Sequence, residues 1–126
     1  MNVVDSCGWL EYFAGGPNAD FFAPALELPA ELIVPTISVY EVFKRILQQR
    51  GESEALQAVA LMQQGPVVDL TPPLALEAAR TSVALGLPMA DSIMLATARS
   101  FAAPFWTQDS DFEGIDGVRY VAVQSA

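Results

Sequence analysis

Short apolar runs alternate with longer stretches of helical periodicity along this chain. Residues 1–4 carry Val3-Val4 and stop at Asp5, which reads as a buried strand. Residues 8–14 read as a short helix closed by Gly15-Gly16-Pro17. Asn18 stands where a capping residue would open a second helix that runs to residue 26. A second strand is expected over 31–35, around Leu32-Ile33-Val34. Residues 38–50 place Val39, Val42, Phe43, Ile46 and Leu47 at helical spacing and end at Gly51. Another helix spans 52–64 before Gly65, and residues 66–70 form a third short strand. Thr71-Pro72-Pro73 joins a capping hydroxyl to prolines in a first turn. That helix is expected to reach about Leu85, ahead of Gly86-Leu87-Pro88. An alanine-rich helix covers 89–101, and strands follow at 103–107 and 118–123.

The expected strands are short and apolar on both faces, and helices separate them. Such a pattern implies an α/β fold: a three-layer sandwich with a central, mainly parallel sheet between helices. No repeat, low-complexity tract or linker divides the chain, so residues 1–126 are expected to form one domain. In sheets of this kind, sites form beyond the carboxyl ends of the strands, at a topological switch point. Asp5 and Asp109 fall just after expected strand ends. Glu41 lies one short turn after a strand, and Asp91 lies in the first turn of a helix. The topology can therefore bring four acids that are distant in sequence to one edge.

Each acid also has an ordinary structural reading. Asp5 could cap the helix that follows it. Ser38-Val39-Tyr40-Glu41 has the spacing of a capping box. Asp91 suits the positive end of a helix dipole. Asp109 and Asp111 frame Ser110 as turn-forming aspartates often do. Against these readings stands the local setting. Asp5 follows Val3-Val4, Glu41 is flanked by Val39 and Val42, and Asp91 precedes Ile93-Met94-Leu95. Buried carboxylates need a counter-charge, and the basic residues are only Lys44, Arg45, Arg50, Arg80, Arg99 and Arg119. A divalent cation is the economical partner, and Mg²⁺ and Mn²⁺ favour oxygen ligands.

Composition narrows the chemistry. The chain has no histidine, which removes Ser-His-Asp and Cys-His catalysis and histidine-ligated zinc. Its single cysteine, Cys7, excludes an internal disulfide and is expected to pack in the core. A formal charge of −9, from 15 acidic and 6 basic residues, opposes non-specific nucleic-acid binding. It suits a chain whose acids meet a metal or a basic partner. No apolar run reaches the roughly 18–20 residues that a bilayer requires, and the N-terminus lacks the look of a signal peptide. A cytoplasmic location, with no membrane partner, is expected.

Four segments occur in characteristic order: Val3-Val4-Asp5-Ser6, Ser38-Val39-Tyr40-Glu41-Val42, Leu87-Pro88-Met89-Ala90-Asp91-Ser92-Ile93 and Trp106-Thr107-Gln108-Asp109-Ser110-Asp111-Phe112. In order and rough spacing they resemble the PIN-domain family, and the whole chain looks like a VapC-type toxin of a toxin–antitoxin pair. The resemblance implies a PIN fold and a Mg²⁺- or Mn²⁺-dependent endoribonuclease. Hydrolysis by a metal-activated water would leave 5′-phosphate and 3′-hydroxyl ends. It carries the catalytic and metal-binding quartet onto Asp5, Glu41, Asp91 and Asp109, with Asp111 an alternative or assistant to the fourth. Thr107 and Ser6 fall where the family often has supporting hydroxyls. The implied partners are an RNA substrate, a VapB-like antitoxin and a second copy of the chain. Helices over 38–64 are candidates for the protein contacts, and Lys44, Arg45 and Arg99 for the RNA path. A catalytically silent PIN domain that only binds is the alternative reading. A receiver domain would need paired early acids and a late lysine, and a haloacid-dehalogenase-type phosphatase would need an aspartate at position 7.

Overall fold

The computed structural model describes residues 1–125. Five short strands alternate with six helices: β1 (Val3–Val4), α1 (Ser6–Ala14), α2 (Ala19–Leu26), β2 (Val34–Pro35), α3 (Thr36–Arg50), α4 (Glu52–Met62), β3 (Val67–Val68), α5 (Pro72–Leu85), α6 (Met89–Ser100), β4 (Phe105–Thr107) and β5 (Val118–Tyr120). Every strand pairing is parallel: β1 with β4, β4 with β5, and β2 with β3. A parallel bridge between Asn2 and Leu32 joins the two groups, giving the spatial order β3-β2-β1-β4-β5. The order reverses beside β1, so the edge beyond β1 and β4 is the switch point where such sheets hold their ligands.

The α/β sandwich with a parallel sheet is therefore as the patterning implies. Val3, Val4 and Phe105 are fully buried, because the sheet is covered on both faces. One core cluster joins Trp9, Phe22, Val42, Ile46, Met62 and Trp106, beneath α1 to α4. A second joins Val3, Ile33, Met94, Leu95, Phe105 and Phe112, beneath α6, and a small third joins Ala78, Ile93 and Ala96 between α5 and α6. Gly8 allows α1 to approach α2: a Cβ there would lie 2.6 Å from Phe22 Cε1 and from Val4 Cγ1.

Several local expectations are corrected. The strand expected over 31–35 narrows to Val34–Pro35, because a 3-10 turn occupies Pro29–Glu31. The last strand ends at Tyr120. The third helix begins at Thr36, with Pro35 at the N-cap position, so Ser38 lies inside the helix and the capping box does not form. The Ser38 hydroxyl is buried without a hydrogen-bond partner among the described residues. Asn18 precedes α2, yet its side chain makes no cap hydrogen bond. The same holds for Asp5 before α1. Among the described residues no single helix is long and apolar enough to cross a membrane.

Candidate metal centre

The β1–β4 register builds the centre of the site. Val4 pairs with Trp106, and the Asp5 N–H donates to the Trp106 carbonyl at 2.9 Å, which carries the ladder one residue further. Asp5 and Thr107 are thus neighbours at the carboxyl ends of adjacent parallel strands. The Thr107 hydroxyl donates to Asp5 Oδ2 at 2.8 Å, and Thr107 Oγ1 accepts the Asp109 N–H at 2.9 Å. Asp109 opens a 3-10 turn, and its Oδ1 accepts the Asp111 N–H at 2.9 Å. Asp91 occupies the first turn of α6, where the helix dipole favours a negative group.

Carboxylate oxygens of Asp5, Asp91 and Asp109 all lie within 4.8 Å of one another. Asp5 is buried and the other two are half-buried. Glu41 stands outside this cluster of three. Its Oε1 accepts the Ser6 hydroxyl at 2.8 Å, across 35 residues of sequence. Asp111 is exposed and enters the site through its backbone N–H. The structure therefore brings together three of the four expected acids, sets the fourth beside them on a serine, and gives both expected hydroxyls, Ser6 and Thr107, a carboxylate partner.

The electrostatics are those of an uncompensated acidic pocket. Burial pushes Asp5 up to about 6, and the charges of Asp109 and Glu41 add to it against the lowering hydrogen bonds from Thr107 and Cys7. Burial also pushes Asp91 up to about 7, helped by Asp5, Asp109, Glu41 and Asp111. The ion pairs among the described residues are Arg50–Glu54 and Arg80–Glu77, both exposed and neither involving a site acid. Arg119 stacks over Trp106 and Lys44 over Tyr40. Three hard oxygen donors at this spacing, lacking a basic partner, suit a divalent cation such as Mg²⁺ or Mn²⁺.

Cys7 departs from the expectation of simple core packing. It is half-buried with Sγ 3.5 Å from Thr107 Oγ1, and it belongs to none of the three core clusters. Burial first, and then the Asp5 charge, push its thiol up to about 12, so it is neutral near pH 7 and a poor nucleophile. A separate cleft of about 420 Å³ opens between α1, α3 and α4, floored by Leu10, Phe13, Ile46, Ala58 and Leu61. Two of its walls, α3 and α4, lie in the 38–64 span expected to make protein contacts, and the third, α1, comes from a distant segment.

Similar solved structures share the fold. A toxin–antitoxin complex from Klebsiella pneumoniae contains a chain 22% identical, with a TM-score of 0.79 over 94% of this chain and 96% of that one. VapC20 of Mycobacterium tuberculosis, described as a sarcin–ricin-loop-cleaving toxin, is 18% identical with a TM-score of 0.75, over 92% of this chain and 95% of its own. The DNA-bound VapBC of Salmonella typhimurium gives 14% and 0.73, over 97% and 98%. No curated protein sequence matches. The PIN-domain model matches residues 3–118, a span that starts just before Asp5 and includes Glu41, Asp91 and Asp109. By that match and by its fold, this chain belongs to the PIN-domain family.

Proposed function

We propose that this protein is a metal-dependent endoribonuclease and the toxin of a type II, VapBC-like toxin–antitoxin pair. The observation that carries the reading is the convergence of Asp5, Asp91 and Asp109 within 4.8 Å, with no basic side chain paired to any of them among the described residues. These three would hold Mg²⁺ or Mn²⁺. When bound, the cation supplies a counter-charge for the transition state and a more acidic water. Thr107 fixes Asp5 and the Asp109 backbone, so two ligands are oriented before any ion arrives. Ser6 holds one oxygen of Glu41, leaving Oε2 to accept a proton from water attacking the phosphodiester. Asp111 supports Asp109 through its backbone rather than as a ligand.

Lys44, Arg45 and Arg99 are exposed, one turn beyond Glu41 and two turns beyond Asp91. In this reading they meet the RNA backbone, and a second copy of the chain adds its own set. Leu76 and Val83, seven residues apart on α5, are 59% and 87% exposed and offer the apolar stripe for that pairing. The α1–α3–α4 cleft is the surface offered to an antitoxin, and two of its three walls lie in the 38–64 helices expected to bind partners. The fold shared with a chain of a toxin–antitoxin complex and with a sarcin–ricin-loop-cleaving toxin supports an antitoxin and an RNA as partners.

Incubation of the purified protein with structured RNA tests the reading. Cleavage in Mg²⁺ or Mn²⁺ with 5′-phosphate products, stopped by excess chelator, is the expected result. Cleavage that persists unchanged in chelator, or none with any divalent ion, overturns it.

A further inference from the structure

Asn18 lies in the turn between α1 and α2, is 2% exposed, and leaves the adjacent helix terminus uncapped. Its amide reaches elsewhere. Nδ2 donates to Gln108 Oε1 at 2.9 Å and to the Ala122 carbonyl at 3.0 Å, and Oδ1 accepts Gln124 Nε2 at 2.9 Å. The Asn18 N–H donates to Glu11 Oε2 at 2.8 Å, which ties the turn to α1. Both side-chain N–H groups and the carbonyl are thus committed, and a buried amide so engaged has little freedom to shift.

The residue at the other end of this clamp is significant. Gln108 sits between Thr107 and Asp109 in the turn that leaves β4. Thr107 Oγ1 holds that turn from within, through the Asp109 N–H, and Asn18 holds it through the Gln108 side chain. We propose that Asn18 is a positioning residue for the metal centre, setting the placement of Asp109 by clamping Gln108. The inference rests on the metal-binding reading above. Mg²⁺ demands near-ideal geometry, and ligands must be held within roughly 0.5 Å of it. Groups that orient a ligand without touching the ion typically change metal affinity by about 10–100-fold.

Mn²⁺ binding to the purified, metal-free full chain, measured by calorimetry beside the thermal midpoint, tests this. Gln108→Ala cuts only the link toward Asp109, and Gln124→Ala cuts only one of the two links to the C-terminal segment, leaving the Ala122 carbonyl in place. The expected result is roughly 10-fold weaker Mn²⁺ binding in Gln108→Ala, with wild-type binding in Gln124→Ala. Asn18→Ala should weaken binding at least as much, and Asn18→Ala/Gln108→Ala no further, because both cut one link. If Asn18→Ala fails to fold, Gln108→Ala decides alone. Wild-type Mn²⁺ affinity in Gln108→Ala, or an equal loss in Gln124→Ala, overturns the positioning role while the metal centre stands. Failure of the wild-type protein to bind Mn²⁺ overturns the metal centre and this inference with it.

Discussion

The Thr107 hydroxyl donates to Asp5 Oδ2 at 2.8 Å while its oxygen accepts the Asp109 N–H at 2.9 Å, so one buried side chain ties two acids 104 residues apart. The link needs no ion. It comes from two strands lying in register and ending together.

Thr107→Val removes this link and keeps the shape. Asp5 loses the hydrogen bond that opposes its upward shift, and the Asp109 N–H loses its acceptor. The Mg²⁺ concentration for half-maximal cleavage should rise about 10-fold or more, and the fold should lose about 1–3 kcal/mol. Thr107→Ser should recover much of both. A metal titration of cleavage and a denaturant melt check this, and unchanged metal dependence in the valine variant contradicts it.

Ser6→Ala frees Glu41 Oε1, and Glu41 stands outside the three-acid cluster. The expected effect is a fall in kcat with little change in the Mg²⁺ requirement, because the cluster keeps its three oxygens. Rate measurements at saturating metal separate the two. A shift in metal requirement without loss of kcat would place Glu41 among the ligands instead.

The pH dependence of stability follows from the raised acids. Asp5 and Asp91 stand at about 6 and 7 in the fold, against 3.8 for an ordinary aspartate. The folded chain therefore holds their protons more tightly than the unfolded chain. Their contribution to stability is fully present below about pH 4 and is lost as pH rises through 6 to 7. Metal-free protein should therefore lose thermal stability across that window through these two groups. Saturating Mn²⁺ should raise the midpoint at pH 7.5 and do little at pH 4. An equal gain at both pH values contradicts the assignment.

How much of this was legible beforehand depended on distance in sequence. Alternating apolar runs and helical periods disclosed the parallel sandwich, since burial on both sheet faces leaves its mark residue by residue. Asp5, Asp91 and Asp109 were legible because each follows a strand end or opens a helix, positions that the topology carries to one edge. The local capping readings misled at three places. Ser38 is inside its helix, Glu41 turns to Ser6, and Asn18 turns to Gln108, Ala122 and Gln124. For Glu41 and Asn18 a tertiary partner outcompetes the neighbouring backbone, and nothing in the nearby residues announces that partner.

Gly8→Ala tests the packing that underlies the site without touching it. The new Cβ would meet Phe22 and Val4 at 2.6 Å, in a core where neither can retreat freely. A loss of about 1–3 kcal/mol is expected from overpacking, read as a lower denaturant midpoint with unchanged slope. A wild-type midpoint would show that α1 and α2 are less tightly seated than described.

Asp91→Asn is the most direct test of the central claim that three converging acids form a divalent-metal centre that cleaves RNA. The substitution keeps size and removes one charged ligand from a half-buried site. Cleavage of structured RNA in Mn²⁺ should fall by roughly 100-fold, the upper end of what loss of a group supporting a metal site costs, while circular dichroism and the thermal midpoint in chelator match or exceed those of the wild-type protein, because a repelling charge is gone. Cleavage at the wild-type rate by folded Asp91→Asn protein would contradict the account.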